Sequence, residues 1–177
     1  MAELTILEYP NPILRSTSSP ITDFNADLSR LVDDLFDTLS AKGGLGLSAP
    51  QAGQLVRVLV VDVPDDDYGP VAYINPTVLK SAAPGLVEEG CMSVPGILGN
   101  VIRPTQIRVR AQDVHGDWSE RDLVGMHAVC VQHEIDHLDG RLFIDRLSWF
   151  RRLRIKAAAR REAQHAAVSD VRHSAGV

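Results

Sequence analysis

His133-Glu134-Ile135-Asp136-His137 has the form H-E-x-x-H. Positions four apart share one face of a helix, so the two imidazoles can hold one divalent metal. Glu134 sits one step round, where its carboxylate can act as a general base toward water at the metal without ligating it. A tetrahedral catalytic site needs a third protein ligand and an open fourth position. Downstream of His137 the donors are Asp139, Asp145, Glu162, His165, Asp170 and His173. Upstream stands Cys91, within Glu88-Glu89-Gly90-Cys91-Met92-Ser93-Val94-Pro95-Gly96, which is expected to be a rigid glycine- and proline-bearing loop. A thiolate is the stronger ligand, and Cys91 is the preferred third donor. Cys130, between Val129 and Val131 one turn before His133, reads as a small core residue instead.

A second segment with chemical content is Gly44-Leu45-Gly46-Leu47-Ser48-Ala49-Pro50-Gln51. Its glycines allow close approach of backbone to a ligand, and the Gln51 amide can donate to an oxygen. No Lys-Ser/Thr follows the glycines, and a strand rather than a helix comes next, so neither nucleotide fingerprint applies.

The elements that must position these residues follow from periodicity. After a lead broken by Pro10, Pro12 and Pro20, apolar residues at three- and four-residue steps from Ala26 to Leu39 predict an amphipathic helix ended by Gly43-Gly44. Short β-like runs follow at Val56 to Val63, Val71 to Leu79 and Ile107 to Val114, the last turning at Gly116 into Trp118 to Val124. From Gly125 to Leu138 the spacing is helical again, with Met126, Val129, Cys130, His133 and His137 on one face and Gly140 as the stop. A last helix is expected from Ser148 through Ala159, with a frayed end. The class is therefore α+β: antiparallel or mixed sheet around a central metal-binding helix, flanked by an N-terminal and a C-terminal helix.

With 177 residues, 45% hydrophobic and 23% charged, the chain suffices for one globular core. A catalytic domain over residues 1–147 and a basic helix with tail over 148–177 are expected. The longest apolar run, Val58 to Val61, is far short of the ~18 residues of a membrane helix. The first residues lack a secretory pattern, and Cys91 and Cys130 are the only cysteines, so a reducing cytoplasmic setting is expected. The net charge of −5 conceals a basic run: Arg146, Arg151, Arg152, Arg154, Lys156, Arg160 and Arg161 have no acid between them. That run is a candidate contact for a polyanion or simply a solvated helix face. His115, His127, His165 and His173 are expected to be polar surface residues.

Taken together, the segments resemble the peptide deformylases, whose motifs G-x-G-L-A-A-x-Q, E-G-C-L-S and H-E-x-D-H match Gly44 to Gln51, Glu89 to Ser93 and His133 to His137 in the same order. The lead Tyr9-Pro10-Asn11-Pro12-Ile13-Leu14-Arg15 and the run Gln132 to Asp145 are also similar, so the resemblance covers residues 4–147. It implies a hydrolase that removes the formyl group from the N-terminal methionine of nascent chains and releases formate. Cys91, His133 and His137 would hold Fe²⁺, replaceable by Ni²⁺, Co²⁺ or Zn²⁺. Glu134 would be the general acid/base, with the Gln51 amide and the Met92 backbone N–H binding the formyl oxygen. Gly46, Leu45, Glu89, Gly90, Met126, Val129 and Cys130 would face the substrate, the apolar ones lining a methionine pocket. The implied partners are formyl-methionyl nascent peptides and, through the basic C-terminal helix, the ribosome. A monomer is expected, with neither DNA nor membrane as a partner.

Ser48 and Met92 replace the family's usual alanine and leucine, and Leu98-Gly99-Asn100, expected to be a loop, offers no basic residue to a substrate carboxylate. Glu89 and Arg103 are a candidate pair that orients the Cys91 segment. A metallopeptidase for internal bonds shares H-E-x-x-H but leaves Cys91 and Gln51 unexplained. An inactive relative that only captures N-termini has no need of Glu134.

Overall fold

The computed structural model describes residues 3–159. Helix α1 spans Ala26–Lys42; the Asn25 side chain accepts from the Asp27 and Leu28 amides at its start, and Gly43 closes it in the left-handed region at φ 65°. Five strands follow as β1 (Gly46–Ser48), β2 (Val58–Val61), β3 (Val71–Cys91), β4 (Val94–Gln112) and β5 (Trp118–Val124), and then helix α2 (Gly125–Leu138). A further helix, α3, runs over residues 149–159. The strands form one sheet in the order β1-β2-β3-β4-β5, every neighbouring pair antiparallel.

The unbroken apolar run of β2 is explained by burial on both faces. Val58 and Val60 pack with Leu28, Val32, Leu35 and Leu39 of α1. Leu59 and Val61 pack with Ala128, Cys130, Val131 and Leu138 of α2. The sheet therefore lies between the two helices, and α2 is buried almost all round, including His127, His133, Glu134, Asp136 and His137. A third cluster joins Leu14, Val94 and Val101 to Leu142, Phe143, Ile144 and Leu147 beneath the turn between β3 and β4.

Several expectations change. Cys91 is not in a free loop: it ends β3, pairs with Val94 and leads into a tight turn at Met92-Ser93. Likewise Leu98-Gly99-Asn100 belongs to β4, and Gly46–Ser48 is a strand. Pro76, Pro84, Pro95 and Pro104 punctuate the sequence of β3 and β4, yet the ladder runs through with register shifts at Ile74/Thr77, Val78/Lys80 and Glu89/Cys91. Long-range pairing overrides local breaker signals here. His127 is not on the surface but 1% exposed. Arg146 does not belong to a solvated basic face, because its guanidinium is bidentate on Asp136 at 2.8 Å. Arg160, Arg161, Glu162, His165, Asp170 and His173 lie outside the described residues. Among the described residues no helix is long and apolar enough to cross a membrane.

Candidate active site

Helix α2 delivers His133 and His137 to the end of β3, where Cys91 waits. One donor atom from each of the three lies within 4.8 Å of the other two. The Cys91 Sγ stands 3.2 Å from His137 Nε2, and the two imidazoles meet edge to face at 5.1 Å between centroids. The His133 Nδ1 is 2.8 Å from Glu89 Oε2, which leaves Nε2 as that ring's free donor. One cysteine sulfur and two imidazole nitrogens converging within 4.8 Å fit a tetrahedral divalent metal with a fourth position open. No other group of three such side chains is present among the described residues.

Support behind this triad is ionic and buried. Arg103, 1% exposed, reaches Glu89 Oε1 with Nε at 2.6 Å and Oε2 with Nη2 at 2.9 Å, while its Nη1 reaches Asp136 at 2.6 Å. Asp136 in turn accepts from Arg146. Burial alone would raise the Glu89 carboxyl, but hydrogen bonds from Arg103 and His133 outweigh it and hold it down at about 2. Glu89 is thus a permanent anion that fixes the orientation of His133. Both of its oxygens are engaged, by Arg103 and by His133, while the residue borders the cavity.

Glu134 is 4% exposed, and its Oε2 has no hydrogen-bond partner. Burial pushes its carboxyl above the ordinary range, with His133 and the Ser48 hydroxyl pulling the other way. The carboxylate packs on the backbone of β1, where a Cβ on Gly46 would lie 2.9 Å from Glu134 Oε1. A glycine is required at that position by contact rather than by φ.

Gln51 is 1% exposed and its amide has a single sensible orientation. Its Oε1 accepts from the Ser48 N–H at 2.9 Å and the Ser48 hydroxyl at 2.8 Å. Nε2 therefore points toward Ser93 Oγ at 3.2 Å and Cys91 Sγ at 3.6 Å, beside the triad. The serine that stands where the resemblance leads one to expect alanine adds a hydroxyl donor to this anchor.

A cavity of about 260 Å³ opens from the triad. Cys91, His133, Glu134 and Gln51 form its floor, and Leu45, Gly46, Val87, Met92, Met126, Val129 and Cys130 supply most of its wall, with Glu89 and Gly90 along β3. Such a mostly apolar pocket with a few convergent polar groups suits an apolar ligand group placed beside the polar floor.

A family model described as Polypeptide deformylase matches residues 3–152. The chain belongs to the polypeptide deformylase family. It is 42% identical over 166 residues to a peptide deformylase of Hahella chejuensis, covering 93% of this chain and 98% of that protein. A solved peptide deformylase from Legionella pneumophila superimposes with a TM-score of 0.84 at 36% identity, covering 94% of this chain and 98% of the other. One from Ehrlichia chaffeensis in complex with actinonin gives a TM-score of 0.86 at 35% identity, covering 92% and 98%.

In this polypeptide deformylase chain every site residue expected from the sequence borders one cavity except His137, which closes the triad from behind. Cys130 is both core and cavity wall, since it packs with Leu59 and Val131 while lining the pocket. Sequence reasoning missed two contributors, Asp136 and Arg146, as members of the ionic chain behind Glu89. The signal was present in part: an acid between the two histidines and an arginine ten residues later become neighbours once Gly140 turns the chain back.

Proposed function

We propose that this chain is a metal-dependent hydrolase that removes the N-formyl group from the N-terminal formyl-methionine of newly made polypeptides, releasing formate and a free amino terminus. The observation that carries this reading is a buried carboxylate with one unpartnered oxygen, Glu134, set between a Cys91/His133/His137 triad and an apolar pocket. Cys91, His133 and His137 would hold a divalent ion, Fe²⁺ by preference with Ni²⁺, Co²⁺ or Zn²⁺ as substitutes, which would supply Lewis acidity and lower the pKa of water.

The rest is done by the protein. The methionine side chain enters the cavity between Leu45, Met126 and Val129, which brings the formyl carbon over the floor. Gln51 Nε2, held by Ser48, and the Met92 backbone N–H donate to the oxygen as negative charge develops there. Glu134 takes a proton from the attacking water and passes it to the departing amine nitrogen as the formyl C–N bond breaks. A carboxyl raised by burial suits both halves of that transfer. A thiolate ligand offsets part of the metal's charge, so more of the barrier reduction falls to Glu134 and the oxygen-binding donors.

Formate release from a formyl-Met-Ala peptide by metal-loaded protein tests this. Glu134→Gln is expected to abolish release while retaining stoichiometric metal. A loaded wild-type protein that releases no formate, or that cuts internal peptide bonds instead, overturns the reading.

The same reading extends to a cytoplasmic monomer that meets its substrate at the ribosome. Helix α3 supports that contact: Arg151, Arg154 and Lys156 are exposed there beside Trp149, Phe150 and Leu153, which are 56%, 63% and 55% exposed. Toward the body, Ile155 packs on the third cluster, Ala159 is buried, and Arg151 and Arg152 donate to the Leu98 and Asp145 carbonyls at 3.1 and 3.2 Å. Ribosome co-sedimentation should fall when Arg151, Arg154 and Lys156 are reversed to glutamate, and unchanged co-sedimentation refutes the contact.

A further inference from the structure

Behind Met126, on the side away from the metal triad, lies a buried polar network that the chemistry above does not use. His127 donates or accepts at both ring nitrogens: Nδ1 is 2.8 Å from Asp66 Oδ2, and Nε2 is 2.8 Å from the Tyr73 hydroxyl. The Tyr68 ring covers the imidazole at 4.6 Å between centroids. Asp66 and Tyr68 both belong to the connection between β2 and β3. Asp66 Oδ1 ties that connection into a turn by accepting from the Tyr68 and Gly69 amides at 2.9 and 3.1 Å. The Tyr68 hydroxyl accepts from the Val124 amide at 3.2 Å.

Helix α2 needs such a device. It follows β5 through Val124, which provides no side-chain cap, and enters by Gly125 at φ 62°. A first turn without a side-chain cap forgoes the stabilisation that a cap supplies and depends on contacts from elsewhere in the chain. Met126 lies in that turn, immediately before His127, and forms one wall of the cavity. A second lining residue, Leu45, is held at its backbone by the start of the same connection, because the Asp62 amide donates to the Leu45 carbonyl at 3.0 Å. One connection, residues 62–69, therefore grips both.

We infer that the Asp66–His127–Tyr73 network is a positioning and specificity device, which sets the separation of Leu45 and Met126 and so tunes the cavity for an unbranched, methionine-sized first side chain. This rests on the deformylase reading for the identity of the substrate. Asp66 and His127 touch neither substrate nor metal; they act through the turn that carries Met126. The expected signature is accordingly a loss of side-chain discrimination rather than of chemistry.

The test uses metal-loaded full-length protein and two peptides, formyl-Met-Ala-Ser and formyl-Ala-Ala-Ser. Asp66→Ala is expected to raise KM for the methionine peptide and to lower the methionine-to-alanine ratio of kcat/KM by about tenfold or more, the scale of one or two misfitted methylenes. The kcat values should stay near those of the wild type. Asp66→Asn restores the ratio, because its side chain can still pair with the turn amides and with one tautomer of His127. If Asp66→Ala fails to fold, Tyr73→Phe, which removes one oxygen from the other end of the network, carries the same comparison. Calorimetric binding of the products Met-Ala-Ser and Ala-Ala-Ser reads the pocket without turnover. Equal losses for both peptides, or an unchanged ratio, overturn the inference. Absence of formate release from the wild type would instead remove the deformylase reading, with the binding comparison still decisive for the pocket.

Discussion

Arg103 and Glu89 form a bidentate ion pair with less than a tenth of either side chain exposed, and the pair lies one hydrogen bond behind the candidate metal triad, because Glu89 also holds His133. Such a charge is costly to bury unless every donor is matched. Arg103 meets that requirement through Glu89 on one side and Asp136 on the other, and burial that would weaken its positive charge is outweighed by these carboxylates. The ionic chain thus links the end of β3 to α2 at the positions where the ligands must not drift.

Replacing Arg103 with leucine removes three charged hydrogen bonds from two buried carboxylates, leaving Glu89 only His133 and Asp136 only Arg146. Breaking a buried pair by removing one partner typically costs about 3–5 kcal/mol, and loss of an outer-shell partner weakens a metal site about 10–100-fold. Urea unfolding of the variant should show the first effect and metal competition with a chelator the second. A variant with wild-type stability and metal affinity would mean that Glu89 orients His133 without help.

Gly46→Ala addresses the other catalytic relationship. A methyl group 2.9 Å from Glu134 Oε1 must push the carboxylate aside, since β1 is paired to β2 through Gly46↔Val61 and cannot yield freely. Misplacement of a reacting group by about 1 Å can cost ~10²-fold in rate. The expected outcome is a kcat lowered by about that factor, with metal content intact and little change in unfolding midpoint. Metal loss instead would place the damage at the ligands.

Much of this arrangement was readable before the structure. The spacing of His133 and His137 on a helix, the segment around Cys91 and the Gly44 to Gln51 stretch all named residues that converge on one cavity. What periodicity could not supply was partnership across the chain. His127 reads as a polar surface residue because nothing near it in sequence offers a partner; its partners are Asp66 and Tyr73, more than fifty positions away. Arg146 looks like the first of a basic run until Asp136 is seen to claim it. The β3–β4 ladder was hidden by its prolines and glycines, whose local preference is overruled by pairing along most of both strands.

The same ionic chain gives acid sensitivity with a defined sign. The folded-state pKa of Glu89 is depressed from 4.5 to about 2, and that of Asp136 is also lowered, by Arg146 and Arg103 against the opposing effect of burial. A depressed carboxyl contributes stability that is present above its unfolded-state value and is lost as pH falls through the folded value. For Glu89 the window runs from 4.5 down to about 2. The urea midpoint of metal-free protein should fall across that window, and Glu89→Gln should flatten the profile there. An equally steep profile in Glu89→Gln would assign the acid sensitivity to other groups.

The two cysteines should differ sharply toward alkylation. Burial, helped by the nearby Glu134 carboxylate, pushes the Cys130 thiol up to about 12, and the side chain packs into the core with Leu59 and Val131. Thiolate is the reactive form, so at pH 8 Cys130 should be inert in the folded protein. Cys91 is partly exposed at the end of β3 and belongs to the metal triad. Iodoacetamide should therefore add one equivalent to folded metal-free protein, at Cys91 by peptide mapping, and essentially none once a divalent metal is bound. Two equivalents in the folded state would show that α2 opens on the timescale of labelling. Persistent single labelling in the metal-loaded protein would remove Cys91 from the ligand set and leave the two histidines to find another partner.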